Sequence, residues 1–203
     1  NFHVPSDYHT NILSLPSKIL NLKLDYHYPT NFDEINKTNI PSNYYFKIKD
    51  SLSLDGNFKI GVVCQGNKNN KLNEKKSFDV SLLEKLASDH VKLYSLIPMD
   101  QDFTFVEKYL GKNLQDTAVL IKSMDLVISV DTAALHLSGA LGKKTWGLLC
   151  SDADWRWGKD GDKTVWYPSV KLYRQSQKDD WGSLINLVKE DIEKFSSSTY
   201  NNV

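Results

Sequence analysis

The stretch Asp125-Leu126-Val127-Ile128-Ser129-Val130-Asp131-Thr132-Ala133-Ala134-Leu135-His136-Leu137-Ser138-Gly139-Ala140-Leu141-Gly142 decides the fold. Leu126 to Val130 has the near-continuous apolar content of a central strand, buried on both faces. Thr132 to Leu141 follows with a helical pattern in which Leu135, Leu137 and Leu141 face a sheet or a neighbouring helix. Gly142 is placed to end that helix in a left-handed conformation and return the chain to a strand starting near Thr145. The unit reads strand, tight turn, helix.

Working outward, the same alternation recurs from Phe58 onward. Apolar runs from Lys59 to Cys64, Val91 to Leu96 and Thr145 to Cys150 are separated by helical patterns from Val80 to Ala87, Phe103 to Leu110 and Asp116 to Met124. Such alternation with short connections predicts βαβ units, and so an α/β fold: a Rossmann-like parallel sheet with helices on both faces, over residues 58–195. A last helix from Trp181 to Phe195 carries one stripe at Leu184, Leu187, Val188, Ile192 and Phe195, with Asp179 or Asp180 to cap it. Residues 1–57, rich in Asn, Tyr, Pro and Lys, form a short irregular segment that cannot build a core alone. Residues 196–203 form a flexible tail. A chain of 203 residues accommodates one such core and an appendage.

The 25 Lys and Arg balance the 25 Asp and Glu, which argues against a general field for nucleic acid or an anionic membrane; any anion site must be local. No stretch approaches the roughly 18 to 20 apolar residues of a membrane span, and the first residues lack the pattern of a secretory signal, so a cytoplasmic protein is expected. Cys64 and Cys150 each end an apolar run and read as buried, reduced thiols, with too few neighbouring ligands for zinc.

Parallel sheets gather ligands at the carboxyl ends of their strands, where loops lead into helix N-termini. Asp131 reads as an N-cap, and Thr132, Ala133 and Ala134 present the unpaired N–H groups of the first turn, where the helix dipole favours an anion. Small side chains there let a phosphate approach closely. His136, four residues beyond Thr132, shares that face and leans back over the turn. The alternative is a purely structural turn, with Asp131 capping and His136 bonded to a carbonyl. Neither a G-x-G-x-x-G fingerprint nor a P-loop is present. A second loop, Gln65 to Ser77, holds four Lys against one Glu: Gly66 allows close backbone approach, and Lys76 can place an ammonium on a diphosphate. A solvated Lys/Asn loop is its alternative reading. A third, Ser151 to Trp157 with Trp166-Tyr167-Pro168, offers aromatics and Arg156 to a sugar, a base or a phosphate, or else packs an irregular loop.

Together, the Asp125 to Gly142 stretch, Asp154-Trp155-Arg156-Trp157, Trp166-Tyr167-Pro168 and Arg174-Gln175 resemble the C-terminal domain of heptosyltransferase-like glycosyltransferases. The resemblance is closest to the branch associated with tetratricopeptide repeats. It implies the GT-B architecture, in which the C-terminal of two Rossmann-like domains holds a nucleotide-sugar substrate without a required metal or other cofactor. By that resemblance, Asp131, Thr132, Ala133 and His136 contact the diphosphate, Gly66, Lys76 and Ser77 flank it, and Ser95 and Leu96 stand near the base. Gln65, Asn67, Trp155, Arg156 and Trp157 are then cleft or sugar contacts. The acceptor, a glycan, lipid or protein hydroxyl, belongs to a first GT-B domain. Asp7-Tyr8-His9 and Ser14-Leu15-Pro16 resemble the hand-over from that domain, so residues 1–57 read as its remnant or linker and the isolated chain as inactive. The rival readings are a non-catalytic nucleotide-sugar-binding or interaction module, and an unrelated flavodoxin-like or nucleotide-binding domain.

Overall fold

The computed structural model describes residue 48, residues 50–67 and residues 73–200, with side chains of the final helix as far as residue 196. Most of the 1–57 segment, including Asp7-Tyr8-His9 and Ser14-Leu15-Pro16, lies outside the described residues, as do Lys68 to Leu72 and the last three residues of the expected tail.

Six strands, β1 (Phe58–Val63), β2 (Val91–Ser95), β3 (Val106–Glu107), β4 (Leu126–Val130), β5 (Thr145–Leu149) and β6 (Val170–Arg174), form one sheet in the order β3-β2-β1-β4-β5-β6. Every neighbouring pair runs parallel. A parallel sheet is covered on both faces, and its central strands must be apolar on both. Accordingly β4 and β5 are buried at every residue and β1 at all but Lys59. Lys59 sits at the amino end, where its ammonium pairs with Asp125 at 3.2 Å and its N–H donates to the same carboxylate at 2.7 Å. That clasp fixes the β1–β4 register, in which Val62 faces Ile128 and Val63 faces Ser129.

The helices among the described residues are α1 (Asn73–Lys76), α2 (Leu114–Ser123), α3 (Ala133–Ala140) and α4 (Trp181–Tyr200), with 3-10 helices at Val80–Leu86 and Trp155–Trp157. Helix α2 packs on α3, and α4 packs on the Val80–Leu86 helix. Because the strand order runs outward in both directions from β1 and β4, right-handed crossovers place these two layers on opposite faces. Phe58, Ile60, Val62, Leu93, Ile128 and Leu148 lie in the main core with Ile185 and Val188 of α4. Each such residue contributes about 1.5–3 kcal/mol by leaving water. Leu135, Leu149, Trp157, Val170 and Leu172 form a smaller cluster.

Elements differ from expectation in five places, the first being α1, a turn of helix inside the loop from Gln65 to Ser77. Helix α2 starts at Leu114, before Asp116, because Asn113 caps it by accepting from the Asp116 N–H at 3.0 Å. The expected helix from Phe103 to Leu110 is instead the short strand β3 and its turns. Strand β6 was not foreseen. Helix α4 continues past Phe195 to Tyr200, and it is Asp180, accepting from the Ser183 N–H at 3.0 Å, that caps its start. Helix α3 ends as expected, with Gly142 at φ 67°. Gly142 N–H donates to Gly139 and Lys143 N–H to Ser138, both at 3.0 Å, which is the Schellman arrangement.

Candidate functional site

The strand order reverses between β1 and β4, and in an open α/β sheet that switch point leaves a crevice beyond the carboxyl ends of the two strands. A cleft of about 460 Å³ opens there. The loop after β1 lines it with Gln65, Gly66 and Asn67, α1 with Asn73 and Lys76, and the turn after β4 with Asp131, Thr132, Ala133 and Ala134. Ile97, Pro98 and Asp100, beyond the end of β2, complete the wall. Thus seven residues expected from the sequence, in two distant segments, are brought to one cleft.

The turn after β4 departs from expectation in its cap. Thr132, with extended dihedrals, occupies the N-cap position and no side chain caps the helix. Its hydroxyl instead lies 3.1 Å from Ser129 Oγ. The Asp131 carboxylate, 7% exposed, receives the Lys76 ammonium, itself 16% exposed. Such a carboxylate gains more from a charge-assisted bond than from a neutral cap, because leaving it unpaired would be costly. The first turn of α3 therefore lines the cleft with no side chain capping its N–H groups.

Across the cleft, Asn73 organises the β1 loop. Its Oδ1 accepts from the Gly66 N–H at 2.7 Å and from Ser77 Oγ at 2.9 Å. A Cβ at Gly66 would stand 2.6 Å from that oxygen, so any larger residue there must push the Asn73 side chain aside. Ser77 also lies 3.3 Å from the Gly66 nitrogen, so it braces the turn. Asn73 had no assigned role in the sequence; its signal is the four-residue spacing to Ser77. Of the four loop lysines, Lys76 enters the cleft and Lys75 pairs with Asp152 at 3.3 Å on the surface, while Lys68 and Lys71 lie outside the described residues.

Other expected contacts stand elsewhere. Ser95 and Leu96 are buried in the sheet, Ser95 donating to the Ile97 carbonyl at 2.5 Å, and their neighbours Ile97 and Pro98 reach the cleft instead. Trp157 is 1% exposed and belongs to the smaller core cluster. Trp155 and Arg156 do not line the cleft; Arg156 pairs with Asp154 at 3.3 Å, and its carbonyl accepts from Trp166 Nε1 at 2.8 Å. Arg174 fastens this loop to β6 by donating to the carbonyls of Trp157, Gly158 and Gly161. His136 stands beside Asp131, with Nε2 3.9 Å from Oδ1, rather than lining the cleft. Burial pushes its pKa below the ordinary histidine value despite the upward pull of Asp131. Both thiols are buried and free, and burial pushes Cys64 up to about 11. Among the described residues, no three His, Cys, Asp or Glu side chains are grouped to hold a metal ion. No helix among them is long and apolar enough to cross a membrane.

The model of glycosyltransferase family 9 (heptosyltransferase) matches residues 72–194. The chain belongs to glycosyltransferase family 9. This family 9 chain is 30% identical to Protein FlbA of Caulobacter vibrioides over 90 residues, which are 44% of the chain and 15% of FlbA. In fold it is similar to the E. coli heptosyltransferase WaaC solved with ADP, at a TM-score of 0.50 and 18% identity over 68% of this chain and 44% of that one. For WaaC with ADP-2-deoxy-2-fluoro heptose the values are 0.49 and 16%, over 89% of this chain and 53% of that one. The family 9 chain thus spans a small part of FlbA and about half of WaaC.

Proposed function

We propose that this family 9 chain binds the nucleotide-sugar substrate of a glycosyltransferase in the cleft between β1 and β4. The observation that carries this reading is the convergence of Lys76 with the uncapped first turn of α3 at the switch point of the sheet. The diphosphate rests on the N–H groups of that turn with Lys76 alongside, and Gly66 lets the opposite backbone close on it. Ile97 and Pro98 offer an apolar wall to the base. In transfer, an acceptor hydroxyl forms the new bond to the anomeric carbon as the bond to the diphosphate breaks. The helix mouth and Lys76 then stabilise the charge that collects on the leaving group. The acceptor and the base that takes its proton come from a second domain, and no metal is required.

Titration calorimetry of the 203-residue chain with ADP, and with the other nucleoside diphosphates, tests this; ADP comes first because WaaC was solved with it. One of them is expected to bind, with or without a chelator. Thr132→Trp, which fills the mouth, abolishes binding, and Lys76→Met weakens it about tenfold, the worth of one charge-assisted hydrogen bond. A folded chain that binds none of them would sink the proposal.

A further inference from the structure

Tyr167 lies across α3 where Gly139 leaves room for it; a Cβ at that glycine would stand 2.5 Å from the tyrosine Cγ. From there its hydroxyl reaches His136 Nδ1 at 3.0 Å. Trp157 stacks on the imidazole with ring centroids 4.9 Å apart and planes at 23°, and Tyr167 meets it edge-on at 5.8 Å. These contacts hold the ring with Nε2 3.9 Å from Asp131 Oδ1, close enough for the carboxylate charge to act on it though too far for a hydrogen bond.

A neutral imidazole has one N–H and one lone pair, and a carboxylate is an acceptor only. With the proton on Nδ1, the Nε2 lone pair would stand near the Asp131 charge, which is repulsive. With the proton on Nε2, the N–H stands near that charge instead and the Tyr167 hydroxyl donates to Nδ1, so every partner is complementary. We propose that Tyr167 is a positioning residue that holds His136 as its neutral Nε2–H tautomer, a hydrogen-bond donor at the margin of the cleft that is closed to general-base chemistry. Asp131 and Asp154 pull the ring towards protonation, whereas burial, Arg156 and Lys76 oppose it, and the opposing group prevails. The use of that N–H by a bound diphosphate rests on the nucleotide reading of the cleft; the tautomer does not.

Ring-nitrogen NMR of the isotope-labelled, unliganded chain tests the tautomer, with His136 assigned by the resonances lost in His136→Gln. At neutral pH the expected result is a protonated Nε2 and an unprotonated, hydrogen-bonded Nδ1. Tyr167→Phe keeps the ring over Gly139, moves Nδ1 downfield to the unbonded position, and weakens ADP about fivefold, the worth of one ordinary hydrogen bond. A protonated Nδ1, a charged ring at neutral pH, or an Nδ1 shift unchanged in Tyr167→Phe would each overturn the inference. Full ADP affinity in that variant would overturn the use of that N–H by the diphosphate. If the wild-type chain shows the ring signature but binds no nucleotide, the tautomer stands and the nucleotide reading fails by itself.

Discussion

At the residue scale, the Lys76–Asp131 pair joins the two halves of the cleft, and its burial makes its two members strongly interdependent. Lys76→Met leaves a buried carboxylate unpaired and is expected to destabilise the chain by about 3 kcal/mol. Asp131→Asn on that background should recover much of the loss, with a coupling of about 1–3 kcal/mol in a denaturant double-mutant cycle. His136 adds a pH dependence. Its pKa is lowered in the folded state by burial, so below its unfolded value the unfolded chain binds more protons. Its contribution is fully present above about pH 6.5 and is lost as pH falls through that value towards the lowered folded pKa. Urea midpoints should therefore decline on acidification less in His136→Gln than in wild type. The sequence made it legible that Lys76, Gly66 and the Thr132 turn would share one cleft, because all three lie at the carboxyl ends of neighbouring parallel strands. It could not tell that Ser95 and Leu96 would both be buried and that Ile97 and Pro98 would meet the cleft, since only the finished pairing fixes where the chain leaves the covered sheet. Trp157 misled for a related reason: an aromatic suits a sugar and a core equally, and Leu135, Leu149 and Leu172 claimed it.

At the scale of elements, β4, the turn and α3 were readable because local signals agreed: an unbroken apolar strand, small residues at the mouth and Gly142 at the end. Gly142→Ala forces a Cβ into a left-handed position and is expected to lower stability by about 1–2 kcal/mol in urea unfolding, without abolishing nucleotide binding. Where tertiary pairing decides, local pattern was insufficient. Phe103, Val106 and Leu110 have the spacing of a helical stripe, but the Phe103 and Phe105 rings pack on each other at 5.4 Å and Val106–Glu107 adds to β2. The signal for β6 was present in Val170 and Leu172 facing inward around an outward Lys171, a period of two that five residues express only weakly. That strand also anchors α4, since Asp191 accepts from Lys171 and Tyr173 and its carboxyl is held down at about 2 by those bonds.

For the whole molecule, a ligand that binds only the folded chain stabilises it by mass action. A nucleoside diphosphate at one hundred times its Kd is expected to add about 2.7 kcal/mol, raising Tm by about 5–11 °C for a domain of this size. Thr132→Trp should give a flat thermal-shift response in the same assay. Sugar transfer by the isolated chain is expected to be negligible in a product assay with any nucleotide sugar that binds. The outer strands of the sheet carry a different consequence. β3 spans only two residues, and along β6 the Leu172 N–H donates to the Asp162 carbonyl at 2.7 Å while Lys163 bridges to Lys171. Neither border therefore offers a long row of open amides and carbonyls on which another chain could pair. Concentrating this protein should not start β-strand zipping between copies, whereas deleting the 160–163 strap would expose β6 and turn it into a template for aggregation.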